Sequence, residues 1–229
     1  MKDRAVVSVY VPEQEPITLQ LSENSARFGF AVKRFKLQLI SAHKYTSQLK
    51  CQGFVQALMD VPDDRLLLIV DADTYCLKPV HFEEEIIQEV RTGKIAIVPD
   101  VADRHENKPG RPWFLAKEKR LRYVNSGVIL ATNKALPLFE RFLALAKDPQ
   151  YLDGPFNDQN IINFALGEFF PKSLILLDKR FNGMARYLND QTVIGHFAGG
   201  AGRIHQRQTR HRDECDKIIG AIGNAFAVS

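Results

Sequence analysis

The stretch Leu66-Leu67-Leu68-Ile69-Val70-Asp71-Ala72-Asp73 decides how the rest of the chain is read. Five apolar residues without alternation predict a strand covered on both faces, as in a parallel sheet. Two aspartates close it. In open α/β sheets ligands collect beyond the carboxyl ends of the strands, where Asp71 and Asp73 are expected to lie. Carboxylates placed there cost desolvation and mutual repulsion unless a cation or a hydrogen-bond network offsets them. Alternation along an extended backbone turns both side chains to one side, toward a single ion. Hard oxygen donors suit Mg²⁺ or Mn²⁺, which commonly bridge to phosphates. A strand-end turn would also favour aspartate, so the pair gains meaning only from its company.

Outward from this strand, apolar segments alternate between strand and helix patterns, the signature of a mostly parallel sheet. Residues 5–11 read as a first strand. Ser22 is expected to cap a helix over about 23–34, followed by a strand from Lys36 to Ser41. A helix from Ser47 to Met59 carries Leu49, Val55, Leu58 and Met59 at helical spacing, and Pro62-Asp63-Asp64 breaks it before the strand 66–70. Phe82 to Thr92 reads as a helix stopped by Gly93, then Ile95 to Val98 as a buried strand. Asp100 to Arg122 is polar, contains Pro109-Gly110 and Pro112-Trp113, and reads as a long loop of the functional kind. Tyr123 to Ala131 returns to strand. Leu136 to Ala146 is a helix that tolerates Pro137 in its first turn. Asp158 to Leu166 is another helix and Leu174 to Leu177 a last strand. No convincing linker divides the 229 residues, so one domain over 1–229 is expected.

Composition is that of an ordinary globular protein, with 45% hydrophobic and 25% charged residues, which argues against disorder. No apolar run approaches the ~20 residues that cross a bilayer. The N-terminus enters a strand pattern and not a signal peptide, and three widely spaced cysteines (Cys51, Cys76, Cys215) suggest reduced thiols in a cytoplasmic protein without a zinc-ligand pattern. The net charge of +4 does not point to nucleic acid. Between Gly199 and Arg212, however, four arginines and two histidines stand with no acidic residue. That field attracts phosphates or an anionic surface, including peripheral contact with the inner face of a membrane through 203–212. A solvated basic tail is the alternative.

Three further segments carry chemistry. In Tyr123-Val124-Asn125-Ser126-Gly127-Val128, small polar residues and a glycine interrupt an apolar strand. Such a glycine marks a bulge or a close approach of backbone to ligand, and Asn125 can hydrogen-bond sugar hydroxyls. In Gly154-Pro155-Phe156-Asn157-Asp158-Gln159-Asn160, one residue suffices to cap the helix, which leaves the others for hydroxyl recognition. In Ile194-Gly195-His196-Phe197-Ala198-Gly199-Gly200, a histidine after a strand is flanked by glycines. It is either a structural residue or a nitrogen ligand beside phosphate-cradling backbone.

Taken in order, Asp71–Asp73, Asn125–Gly127, Asp158–Gln159 and His196–Gly199 resemble the motifs of glycosyltransferases of the GT-A fold. The likeness is greatest to the retaining, glycogenin- and lipopolysaccharide galactosyltransferase-like family usually numbered eight, and spans about residues 50–200. It implies an α/β fold with a mostly parallel central sheet flanked by helices, a single Rossmann-like nucleotide-diphospho-sugar transferase domain. The nucleotide-binding part would cover about 1–100, and the part completing the metal and acceptor sites about 101–229. By the same resemblance Asp71, Asp73 and His196 would ligate Mn²⁺ (or Mg²⁺), which holds the diphosphate of a nucleotide sugar, UDP-sugar above all. Asn125, Asp158 and Gln159 would contact the donor sugar as catalytic residues. Val9, Tyr10 and Val11 would line the base pocket, and Lys50, Ala72, Ser126, Gly199 and Arg203 would complete the donor site. The chain departs from the family at Gly200-Ala201-Gly202-Arg203, where a Lys-Pro-Trp is usual, and at Asn160, where a second aspartate is usual.

The acceptor would be a glycan, a lipid-linked or a protein group, with Arg111, Trp113, Lys117, Lys119, Arg120 and Arg122 on its side. Two rival readings use the same residues. Haloacid-dehalogenase-like phosphatases also end an apolar strand in D-x-D, the first aspartate attacking phosphorus, but this chain has Tyr75 where they carry Thr or Val and shows no later Gly-Asp-x-x-x-Asp. A domain that binds a nucleotide sugar without transferring it is the other.

Overall fold

The computed structural model describes residues 4–10, 15–36, 47–61, 65–100, 122–148, 157–184 and 188–196. Its elements run β1 (Arg4–Tyr10), α1 (Glu15–Arg27), β2 (Ala31–Lys36), α2 (Ser47–Met59), β3 (Leu66–Val70), β4 (Thr74–Cys76), α3 (Glu84–Arg91), β5 (Ile95–Pro99), β6 (Val124–Ala131), α4 (Leu136–Ala146), α5 (Asn157–Glu168), β7 (Leu174–Leu176), β8 (Gly183–Met184) and β9 (Ile194–His196). Among the described residues no helix is long and apolar enough to cross a membrane.

Six strands form the central sheet in the order β2-β1-β3-β6-β5-β7. Pairing is parallel between β2 and β1, β1 and β3, and β5 and β7, while β6 runs antiparallel to both β3 and β5. Helices cover both faces, which is why the strands read as unbroken apolar runs. On one face Val7, Val9, Leu67, Ile69, Ile97 and Ile129 pack against Phe54, Phe139, Phe142 and Ile162 of α2, α4 and α5. On the other, Val6, Leu68, Val70, Val98 and Leu130 meet Ile87 and Val90 of α3 together with Phe30, Phe82 and Phe181. Neighbours along each strand thus serve opposite cores. A second, three-stranded sheet, β4-β9-β8, stands beside the first.

The expected elements are met with three corrections. The helix expected over 23–34 is α1, which begins at Glu15 and ends at Arg27; Ser22 lies inside it, and residues 31–36 are the second strand. Gly29, at φ 79°, is the physical reason, since the chain leaves the helix there through a left-handed turn. The core stripe of α2 is Cys51, Phe54 and Leu58, while Met59 is 63% exposed. The backbone at Asp71-Ala72-Asp73 is a turn and not an extended run: the Thr74 N–H and hydroxyl both donate to the Asp71 carbonyl, at 3.2 and 2.8 Å. Most of the expected loop 100–122, and the basic segment 203–212, lie outside the described residues.

Candidate functional site

The reversal of β6 builds the site. Because it runs antiparallel to β3, with Val70 opposite Val128, its first residues lie beside the carboxyl end of β3. The Asp71 N–H donates to the Gly127 carbonyl at 3.0 Å. Two helices bring their first turns to the same edge, α2 with Lys50 and α5 with Asp158. The small sheet supplies the remaining side: β4 follows the turn directly and pairs Thr74 with His196. A residue 123 positions further along is thereby set against Asp73.

Asp71, Asp73 and His196 each offer one ligand atom, and these atoms all lie within 4.8 Å of one another. Nε2 of His196 is 3.3 Å from Asp73 Oδ1 and 3.7 Å from Asp71 Oδ2. Two carboxylate oxygens and an imidazole nitrogen suit Mn²⁺ or Mg²⁺, while the two cysteines among the described residues, Cys51 and Cys76, are buried elsewhere as free thiols. The space is made by Gly127: a Cβ there would sit 2.2 Å from His196 Cε1 and 2.5 Å from its Nδ1. The residues present therefore fit a divalent cation.

Beside this group Lys50 bridges two carboxylates, with Nζ 2.7 Å from Asp71 Oδ1 and 2.6 Å from Asp158 Oδ2. Burial alone would favour the neutral acid at Asp158, but Lys50 and the Ser126 hydroxyl, donating at 2.9 Å, hold this carboxyl below its ordinary range. At Asp71 burial wins and pushes the carboxyl up, against the pull of Lys50 and His196. At Asp73 burial is outweighed by His196, and the carboxyl stays below its usual range. Burial would lower the imidazole of His196, but Asp73 first and Asp71 next raise it. The pull of the two aspartates on the ring thus outweighs burial, in the place where a cation would sit.

Gln159 is 6% exposed and spans two strands: its Oε1 accepts from the Ser126 N–H at 3.3 Å, and its Nε2 donates to Asp100 Oδ2 at 2.7 Å. Asn125 Oδ1 accepts from the Gly127 N–H and from Asn182 Nδ2, each at 2.9 Å. Asn160 accepts from the Tyr123 hydroxyl at 2.7 Å, inside the protein. Ala72 is buried in the turn between the two aspartates; Val9 belongs to the core on the α2 side, and Tyr10 is buried at the end of β1. Val11, Gly199 and Arg203 lie outside the described residues, as does every residue singled out for the acceptor side except the exposed Arg122.

Two residues of the network went unnoticed in the sequence. Asp100 directly follows a buried strand, the same signal that marked Asp71, but without a second acidic residue. Asn182 sits in Arg180-Phe181-Asn182-Gly183, where an Asn-Gly pair reads only as a turn.

No family model and no curated protein matches the chain in sequence. Solved structures do match in shape. A glycosyltransferase involved in the glycosylation of the major capsid of PBCV-1 superposes with a TM-score of 0.64 over 95% of this chain and 98% of that one, at 12% identity. The galactosyltransferase LgtC, in complex with donor and acceptor sugar analogs, superposes with a TM-score of 0.59 over 95% of each chain, also at 12% identity. The glycosyltransferase GlyE of Streptococcus pneumoniae TIGR4 gives a TM-score of 0.55 over 86% of this chain and 55% of its own, at 14% identity. The chain has the fold of the GT-A glycosyltransferases. At the level of the fold, these neighbours agree with the resemblance carried by the motifs.

Proposed function

We propose that this protein is a metal-dependent glycosyltransferase that moves a hexose from a nucleotide-diphosphate sugar, UDP-sugar foremost, to an acceptor, with retention at the anomeric carbon. The observation that carries the proposal is the convergence of Asp71, Asp73 and His196 at the carboxyl edge of the sheet, with Lys50 and Asp158 against it. When bound, Mn²⁺ or Mg²⁺ would neutralise charge on the departing nucleoside diphosphate.

The chain's own residues do the rest. Asp71, Asp73 and His196 hold the cation, and Lys50 adds a fixed positive charge beside the phosphates. Asp158 faces the donor sugar as a carboxylate, kept ionised by Lys50 and aimed by Ser126. Gln159, braced by Asp100 and the backbone of β6, gives that face of the site a rigid wall. Asn125 has its oxygen occupied twice, so its Nδ2 is the group left for a hydroxyl. The motifs imply phosphate contacts for Gly199 and Arg203 and base contacts for Tyr10 and Val11, whereas the side chain of Val9 lies in the core. On this reading the enzyme works in the cytoplasm, at the inner face of the membrane through residues 203–212, on a glycan, lipid-linked or protein acceptor. The fold gives no support to the phosphatase alternative.

The test is incubation with UDP-hexoses and Mn²⁺, following UDP release without and with acceptor glycans. Slow donor hydrolysis that needs Mn²⁺ and is lost in Asp158→Asn is the expected result. Tight UDP-sugar binding without hydrolysis or transfer would favour a binding domain, and turnover of simple phosphate esters would revive the phosphatase.

A further inference from the structure

A relay of amides runs from the backbone of β6 to the ring of His196, and one end fixes its polarity. The Gly127 N–H can only donate, so the Asn125 atom 2.9 Å from it must be the oxygen. That oxygen also accepts from Asn182, which places the Asn182 NH₂ group toward Asn125, at 2.9 Å. The Asn182 oxygen is then turned the other way, 2.9 Å from His196 Nδ1. An amide oxygen only accepts, so Nδ1 must carry a hydrogen. In the neutral ring Nε2 is left with its lone pair, and Nε2 is the atom that faces Asp73 and Asp71.

The end of the relay at the ring is shielded from water, while Asn125 is half-buried. Asn182 is 2% exposed and His196 3%. Asn182 closes the short 3₁₀ turn Lys179–Asn182, and the next two residues, Gly183 and Met184, pair with Gly195 and His196 across β8 and β9. Asn182 and the histidine it serves are thus tied to the same small sheet. With the Asn182 amide reversed, its NH₂ would meet Nδ1, the neutral ring would carry its hydrogen on Nε2, and no lone pair would point at the carboxylates.

We propose that Asn182 is a positioning residue that holds His196 in the Nδ1–H tautomer with Nε2 as the metal-binding atom, and that the Gly127 N–H, acting through Asn125, sets the direction of this relay. The proposal rests on the metal-dependent reading above. Partners of this kind behind a ligating histidine fix ring and tautomer together, and their loss typically costs roughly tenfold to a hundredfold in metal affinity.

The test reads the tautomer without metal. Long-range ¹H–¹⁵N spectra of the imidazoles at alkaline pH, with His196 assigned by the signal missing in His196→Gln, should show the wild-type ring protonated on Nδ1. In Asn182→Leu the proton should move toward Nε2, and the Mn²⁺ dissociation constant should rise roughly tenfold to a hundredfold. Asn182→Asp, which keeps an acceptor for Nδ1–H, should bring both back toward wild type. A wild-type ring protonated on Nε2 overturns the proposal whatever the variants do. So does an Asn182→Leu protein with the wild-type tautomer and an Mn²⁺ affinity within about twofold. A wild type that shows Nδ1–H but takes up no Mn²⁺ supports the relay and counts against the glycosyl-transfer reading instead.

Discussion

Lys50 holds two carboxylates at once, and its side chain is only 6% exposed while Asp71 and Asp158 retain 27% and 17%. Removing it strands both anions. Lys50→Met should therefore lower stability by about 2 to 3 kcal/mol, the cost of breaking a buried pair discounted for the part-exposed partners. The sign with pH follows from Asp158. Its carboxyl lies below the ordinary range in the folded protein, so the stabilisation is complete above the unfolded value of about 3.9 and is lost as pH falls through the lower folded one. Asp71 is shifted upward and takes up its proton earlier in the folded state, so it adds nothing to the acid-side loss. Denaturant melts of wild type and Lys50→Met should differ most near neutral pH and converge in acid; a gap that widens in acid would contradict this. The part of Lys50 in the site was expected from the sequence, but its double pairing was not, because spacing cannot show that residues 50, 71 and 158 converge.

Gly127 shows how elements, more than single side chains, make the site. It lies where the reversed strand β6 passes the end of β3, and His196 of β9 occupies the space a side chain would need. Gly127→Ala should cost about 1 to 3 kcal/mol by overpacking, displace His196, and abolish stabilisation by Mn²⁺ while leaving the far-ultraviolet circular dichroism unchanged. An alanine variant that still gains stability from Mn²⁺ would contradict the packing argument. The glycine was legible as a close approach, but its neighbour was not. Strands β4 and β9 are three residues each, contain Tyr75 and Gly195, and pair only within the small sheet, so no periodicity marks them. Ser22 is a good cap by composition, but it lies inside α1, whose end is set by the exit at Gly29.

At the scale of the molecule, the buried strands and the helices α2, α4 and α5 were readable because each face of the sheet demands a core, and the apolar runs record that demand. The reversal of β6 was not, since an apolar strand carries no mark of its direction. Yet that reversal gathers Asp71, Asn125 and Ser126 at one edge and makes four separate motifs into one site. The central claim is that Asp71, Asp73 and His196 hold a divalent cation that carries a nucleoside diphosphate. It is tested most directly by thermal unfolding with Mn²⁺ and UDP, alone and together, on wild type and Asp73→Ala. The wild type should gain about 5 °C or more when both ligands are saturating, and Asp73→Ala should lose most of that gain. An equal gain in the variant, or none in the wild type, would contradict it.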